Sequence, residues 1–236
     1  MDTTFAELGL NERILTGVET LGFDTPTPIQ AAAIPAVLAG KDVVASAQTG
    51  TGKTAAFVLP ALQVIDTDPE GEKTDRPEVQ CQPQDGQQQS SQQQESQRRR
   101  QRGDKRRRNR TRNPQALIVT PTRELATQIE RVATTICKST GQRAVIITGG
   151  AKLKRQISAV QAGCDLLVAT PGRLLDLIEH HQVNLKNIKA FILDEADRML
   201  DMGFWPSVRR IMDTLPPKRQ TLLFSATLPP SITSTI

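Results

Sequence analysis

Asp42-Val43-Val44-Ala45-Ser46-Ala47-Gln48-Thr49-Gly50-Thr51-Gly52-Lys53-Thr54-Ala55-Ala56-Phe57-Val58 decides the fold. Asp42 to Ala45 reads as a short strand, and Ala55 to Val58 as the body of a helix. Pro60 is expected to break or kink that helix. Between strand and helix the chain follows the pattern G-x-x-x-x-G-K-[ST], with Ala47 in place of the first glycine. Gly50 and Gly52 let backbone N–H groups turn inward on an anion, at a helix start that already favours negative charge. Lys53 would reach the outer phosphates of a nucleotide, and Thr54 would offer its hydroxyl to a magnesium ion. Gln48, Thr49, Gly50, Thr51, Gly52, Lys53 and Thr54 are therefore the expected phosphate-binding residues.

A second stretch answers the first. Ala190-Phe191-Ile192-Leu193 is a short apolar run of the kind that forms a buried strand, and Asp194-Glu195-Ala196-Asp197 follows it. Strand ends are where α/β folds place their chemistry. There Asp194 would hold the magnesium ion, through water. Glu195 would position and deprotonate an attacking water, so glutamine at that position should bind nucleotide without turning it over. Lys53, Asp194 and Glu195 are the expected catalytic residues, and Thr54 and Asp194 the expected metal ligands. Together the two stretches imply a nucleoside triphosphate site.

Working outward, Ile14, Leu15, Val18 and Leu21 have helical spacing after the capping candidate Asn11. A second helix is expected from Thr27, with Pro28 in the first position and Gln30 placed for a capping box. Further strands are expected at Ala116–Val119, Ala144–Ile147, Asp165–Val168, Phe191–Leu193 and Thr221–Phe224. Between the first two, Leu125, Ile129, Val132 and Ile136 fall on one helical face. Continuous apolar strands separated by helices imply a parallel sheet covered on both faces.

Composition bounds the rest. No apolar run in the 236 residues is long enough to span a membrane, and the N-terminus has no secretion-signal pattern. A cytoplasmic monomer is the expectation. Cys81, Cys137 and Cys164 are widely spaced and read as plain reduced thiols. The net charge of +5 is local in origin: Arg98 to Arg112 holds ten Lys/Arg and one Asp, leaving the remainder at −4.

That basic run ends a segment with eleven glutamines between Gln80 and Gln101 and almost no apolar residues. It cannot offset its ordering entropy by burial, so 67–113 is expected to be a disordered insertion between 1–66 and 114–236. Lengthening a loop to this size costs about 2 kcal/mol of closure entropy. The arginine run could be an RNA tether, a localisation patch or a partner-binding tail. Without the insertion about 190 residues remain, enough for one domain. His180-His181 has no ligand set around it, and Trp205 is expected to pack.

These residues resemble the DEAD-box ATP-dependent RNA helicases of superfamily 2. The resemblance covers nearly the whole chain outside the insertion and implies the N-terminal RecA-like P-loop domain of such an enzyme. Gly22-Phe23-Asp24-Thr25-Pro26-Thr27-Pro28-Ile29-Gln30 resembles the motif that reads adenine. By that resemblance Gln30 pairs with the adenine edge, Phe23 and Thr25 lie near the base, and Phe5 is the accompanying upstream aromatic. The bland alternative for Gln30 is the capping box, and both can hold. ATP and Mg2+ are the implied cofactors.

Pro121-Thr122-Arg123, Gly149-Gly150 and Thr170-Pro171-Gly172-Arg173 resemble the segments that line the RNA track in the family. Each sits just after a strand, where N–H groups, hydroxyls and a guanidinium can meet phosphate oxygens without reading sequence. Ser225-Ala226-Thr227 resembles the motif whose hydroxyls bond the last aspartate of the tetrad, here Asp197, and couple nucleotide state to RNA. The spare N-terminus and close motif spacing resemble bacterial members.

The resemblance also implies a second RecA-like domain, carrying arginine fingers worth about 10³–10⁵ in rate in related phosphoryl transfer. That domain is absent from this sequence, whose end at Ser234-Thr235-Ile236 reads as a truncation. The chain alone is expected to bind ATP and RNA weakly, hydrolyse slowly and leave duplexes intact. A different class of reading is a non-catalytic RNA-binding or partner-docking module acting through the Gln/Arg-rich insertion. A GTPase or DNA translocase is disfavoured, because no Asn-Lys-x-Asp guanine reader is present.

Overall fold

Strand β1 (Val43–Ser46) stands at one edge of a six-stranded sheet, and every pairing in that sheet is parallel. The computed structural model describes residues 3–48, 50–65 and 113–233. The expectations for Thr49, for Cys81, for the insertion up to residue 112 and for the last three residues lie outside these. No helix of the described residues is long and apolar enough to cross a membrane.

The lead-in folds as its capping signals require. Helix α1 (Glu12–Thr20) starts at Asn11, whose side chain accepts the Ile14 N–H at 3.0 Å. Helix α2 (Pro28–Leu38) begins with Pro28 in the first turn and continues through Pro35. Helix α3 (Lys53–Val64) follows the phosphate loop.

The expected break at Pro60 does not end α3. The helix runs on for another turn, because Leu59, Ala61 and Leu62 are fully buried there. Burial of side chains like Leu59 and Leu62, about 1.5–3 kcal/mol each, offsets the hydrogen bond that Pro60 cannot donate.

The remaining elements alternate. They are β2 (Ala116–Val119), α4 (Arg123–Thr140), β3 (Ala144–Ile147), α5 (Leu153–Gln161) and β4 (Leu166–Ala169). Then come α6 (Pro171–Glu179), β5 (Ala190–Asp194), α7 (Ala196–Asp201), α8 (Trp205–Met212), β6 (Gln220–Ser225) and α9 (Pro230–Thr233). The strands stand in the order β1-β6-β5-β2-β4-β3. This parallel sheet with helices on both faces is a RecA-like α/β fold.

Strands β2, β4, β5 and β6 are buried on both faces, so their alternate residues feed two cores, whereas edge strand β1 leaves Val44 exposed. Ala116, Ile118, Leu166, Val168, Ile192 and Phe224 face the core built with α1, α2, α3 and α4. Leu117, Val119, Leu167, Ala169, Leu193 and Leu223 face the core on the other side, with Leu174, Leu177, Trp205 and Val208. Trp205 packs, as the sequence suggests. In α4 the buried stripe is Ala126, Ile129, Ala133, Ile136 and Cys137. Leu125 and Val132 sit at its margin, half-buried, because small alanines occupy the centre of the face and let the helix approach closely.

Two fastenings fix the edge where the phosphate loop begins. Gln220 Nε2 donates to the Val37 and Lys41 carbonyls at 2.9 and 2.6 Å, and Asp42 Oδ1 accepts the Thr221 N–H at 2.7 Å. The Phe57 ring meets the Phe224 ring at 5.1 Å between centroids, tying α3 to β6. All six strands point the same way, so their carboxyl ends form one rim, where α/β sheets bind ligands.

Candidate active site

The phosphate loop leaves β1 at the rim. The Ala47 N–H donates to the Ser225 carbonyl at 3.0 Å, extending the β1–β6 ladder one residue into the loop. Gly50 and Gly52 adopt φ of +86° and +88°, a left-handed backbone that side chains resist. The Thr51 hydroxyl donates to the Gln48 carbonyl at 2.8 Å and braces the turn. Gln48 itself is exposed. Lys53 opens α3 with its side chain buried, and its Nζ donates to the Ala47 carbonyl at 2.8 Å. The ammonium is thus folded over the loop, where an anion would take it up. Thr54 follows on the first turn of α3, half-buried.

Asp194 ends β5 and is buried, and its Oδ1 has no hydrogen-bond partner among the described residues. Burial pushes its carboxyl up to about 7; the Lys53 ammonium pulls down and the Glu195 carboxylate pushes up. A buried carboxylate oxygen left unpaired beside an ammonium is costly unless a ligand completes it. Hard oxygen donors, the Asp194 carboxylate and the Thr54 hydroxyl, suit a magnesium ion that keeps most of its own water. The residues present therefore fit such an ion.

Glu195 is buried and adopts φ +53°, ψ +50°. A non-glycine residue in this region costs about 1–2 kcal/mol, and such strain concentrates at functional sites. The Arg198 Nη1 donates to Glu195 Oε2 at 3.2 Å and holds the carboxylate from its exposed side.

Asp197 joins the tetrad to the end of β6. Its Oδ2 accepts the Thr227 hydroxyl at 3.0 Å and the Thr227 N–H at 2.9 Å. The Asp197 N–H donates to Ser225 Oγ at 3.1 Å. Partial burial pushes the Asp197 carboxyl up, but the hydrogen bonds from Ser225 and Thr227 outweigh it and hold the group below its ordinary range.

Gln30 is buried against the phosphate loop. Its Oε1 accepts the Thr27 N–H at 2.9 Å, half of the expected capping box, and its Nε2 donates to the Gly52 carbonyl at 3.0 Å. The Thr27 hydroxyl turns toward the helix backbone, but too loosely for a hydrogen bond, and its oxygen is buried without one. Among the described residues Gln30 keeps one N–H and one lone pair unused. Thr25 is exposed, and Phe23 lies half-buried at the core margin. Phe5 is buried in the core with Leu8 and Leu10.

The other three segments leave neighbouring strands side by side. Val119 pairs with Ala169, and Ala169 with Ile147. Thr120, Thr170 and Thr148 are each one residue further on, so Pro121-Thr122-Arg123, Pro171-Gly172-Arg173 and Gly149-Gly150 emerge together. Thr122 caps α4, accepting the Leu125 N–H at 3.3 Å. Arg123 is exposed, and its Nη1 lies 2.7 Å from where a Cβ on Gly150 would stand. Arg173 Nη1 donates to the Ala151 carbonyl at 3.3 Å and to Gln156 Oε1 at 3.4 Å, and its Nε lies 3.7 Å from Asp176.

Gln156 and Arg198 were not among the residues expected from sequence. Gln156 shares the buried face of α5 with Val160, and a glutamine on an apolar face was the available signal. Arg198 lies inside the helix after the tetrad and gave none. Cys137 and Cys164 are free, and burial, then the Asp165 carboxylate, pushes both thiols up to about 12. His180 Nδ1 lies 2.8 Å from the Asp176 carbonyl and 3.2 Å from its carboxylate.

Residues 27–235 match the family model described as DEAD/DEAH box helicase. The chain is 40% identical over 228 residues to the ATP-dependent RNA helicase CshA of Limosilactobacillus reuteri, covering 97% of this chain and 37% of that protein. It is 40% identical over 233 residues to the DEAD-box ATP-dependent RNA helicase 52A of Oryza sativa subsp. japonica, covering 97% and 34%. The same identity over 233 residues links it to the pre-mRNA-processing ATP-dependent RNA helicase PRP5 of Gibberella zeae, covering 98% and 16%. The chain thus spans between 16% and 37% of the length of these relatives.

Proposed function

The chain belongs to the DEAD/DEAH box helicase family, and from that membership we propose that it is the ATP-hydrolysing, RNA-gripping domain of an ATP-dependent RNA helicase. The observation that carries the proposal is the partnerless, buried Oδ1 of Asp194 beside the Lys53 ammonium at the rim. Lys53 and the N–H groups around Gly50 and Gly52 hold the outer phosphates. Thr54 and Asp194 hold magnesium, which when bound neutralises charge building on those phosphates. Glu195 orients a water toward the γ-phosphate and takes its proton. Gln30 offers its spare N–H and lone pair to the adenine edge.

Arg123, Gly149, Gly150, Thr170 and Arg173 meet phosphate oxygens of single-stranded RNA without reading its bases. Pro121, Thr122, Pro171 and Gly172 shape the turns that present them. Asp197, held by Ser225 and Thr227, carries nucleotide state toward this track. A second RecA-like domain, in the remainder of the full protein, supplies the arginines and the other half of the grip. The 236-residue chain alone therefore binds ATP and RNA weakly, hydrolyses slowly and does not unwind.

The test is ATP turnover by the purified chain with and without single-stranded RNA, beside a longer protein carrying the second domain. Fast RNA-stimulated turnover by the chain alone overturns the division of labour, and absent ATP binding overturns the whole reading. A second reading rests on the +9 stretch Arg98 to Arg112, which suits a tether for RNA. Deleting 67–113 separates the two. If RNA affinity vanishes and nucleotide never influences it, the tether reading holds instead.

A further inference from the structure

Gln156 lies on the buried face of α5 and makes a two-point contact with the backbone of Thr148. Its Nε2 donates to the Thr148 carbonyl at 2.9 Å, and its Oε1 accepts the Thr148 N–H at 3.2 Å. β3 is an edge strand, and the Ile147 carbonyl is already engaged by the Thr170 N–H on the inner side. The polar groups of Thr148 point the other way, as alternation along a strand requires. The Gln156 amide therefore replaces the missing neighbour strand at the residue just before Gly149-Gly150.

The same amide reaches the far side of the glycines. Gln156 Oε1 also accepts from Arg173 Nη1 at 3.4 Å, and Arg173 Nη1 donates to the Ala151 carbonyl at 3.3 Å. Thr148 and Ala151 bracket the two glycines, so the loop is strapped at one end by Gln156 and at the other by Arg173, and the two side chains are bonded to each other. Gly150 is held at φ +75°, a conformation that side chains resist, and Arg123 Nη1 lies 2.7 Å from where a Cβ would stand there. Arg123, the glycine pair and Arg173 come from the ends of three different strands. Gln156 is bonded directly to Arg173 and to Thr148, the residue just before the glycine pair.

We propose that Gln156 is a positioning residue for RNA. It fixes the Gly149-Gly150 backbone and the Arg173 guanidinium as one preformed cradle for a phosphate of single-stranded RNA. The proposal rests on the RNA reading above. It adds that the cradle is set by a buried amide that itself touches no RNA. Preforming the cradle removes the ordering cost that a free glycine pair would bring to binding.

The test uses the whole chain and a fluorescein-labelled oligouridylate, read by anisotropy across a salt series. Gln156→Met keeps the length of the side chain and removes all its hydrogen bonds. It should weaken RNA binding about tenfold and flatten the log–log salt slope by about 0.7 for each RNA phosphate no longer neutralised. A fluorescent ATP analogue, bound at the far end of the rim, should keep its affinity within about twofold and serves as the control for folding.

Gln156→Glu keeps the accepted bonds and loses the donated one, so its RNA affinity should fall between the two. Arg173→Met should cost much less in the Gln156→Met background than in the native one. A purely structural glutamine would leave the salt slope unchanged and let the two substitutions add. Unchanged RNA affinity in folded Gln156→Met, or simple additivity with Arg173→Met, overturns the proposal. If the native chain binds no oligouridylate at all, the RNA reading falls, and this proposal with it.

Discussion

The Gln30 side chain donates to the Gly52 carbonyl at 3.0 Å, joining the start of α2 to the turn that opens α3 across 22 residues. The same amide satisfies the Thr27 N–H, so one residue caps a helix and supports the phosphate loop. Gly52 matches it from the other side. At φ +88° it is left-handed, and a Cβ there would stand 2.5 Å from Gln30 Nε2.

Gln30→Leu should therefore destabilise the chain even without nucleotide. It leaves the Thr27 N–H without its partner, which costs about 1–3 kcal/mol in a buried setting. Gly52→Ala should cost a similar amount, from left-handed strain of about 1–2 kcal/mol plus the displaced amide. Urea denaturation without ligand reads both. If Gln30→Leu has native stability and only weakens ATP binding, the residue serves the base alone.

Glu195 gives a sharper separation of stability from activity. Its left-handed backbone costs about 1–2 kcal/mol, which glycine would relieve, less about 0.5–1 kcal/mol of extra chain entropy. The pair with Arg198, exposed on its arginine side, is also removed by the substitution and contributes about 0–1 kcal/mol. Glu195→Gly should thus sit within about 1 kcal/mol of native stability while losing about 10²–10⁴ in ATP turnover. A marked loss of stability would mean that the strain reading of this residue is wrong.

The central strands β2, β4 and β5 were legible because each is a short apolar run, the pattern expected of parallel strands buried on both faces. Asn11 named its helix start through a side chain that does cap. Pro60 does not end its helix as a break would, because Leu59 and Leu62 are buried deeply enough to carry the helix past it. Gln156 showed only as a polar residue on an apolar helix face, and its role could not be read, since its partners Thr148 and Arg173 become neighbours only when β3 and β4 pair. The site follows the same division. Asp194 and Lys53 sit in recognisable local patterns, but the missing partner of Asp194 Oδ1 is a property of the folded rim.

Thr227 and Asp197 predict a difference that depends on acid. Hydrogen bonds hold the Asp197 carboxyl below its ordinary range, so its contribution to stability is full above that range and is lost as pH falls through the folded value. Thr227→Val removes the donated hydroxyl bond and keeps the N–H bond. The variant should be less stable by about 0.5 kcal/mol at about pH 7, since the pair is exposed. The gap from native should close in acid, as Asp197 protonates in both proteins. A gap that is constant with pH would place the effect in packing, not in the carboxylate.

Asp194 predicts the opposite slope. Its folded value of about 7 lies above the ordinary 3.8, so the fold favours the protonated carboxyl. The stability this gives is full below 3.8 and is lost as pH rises through about 7. At pH 8 the buried charge costs up to about 4 kcal/mol, an upper limit because burial shifts relax. Asp194→Asn removes that charge. The ligand-free variant should match native stability near pH 4 and exceed it at pH 8, with thermal denaturation as the readout. Magnesium with an ATP analogue should reverse the order at pH 8. The native chain recovers the cost of its charge on binding the cation, and the variant has no charge to offer. If the two proteins keep the same stability difference at both pH values, Asp194 is not the group that titrates. If magnesium nucleotide stabilises both equally, the unpaired Oδ1 is not the metal ligand proposed here.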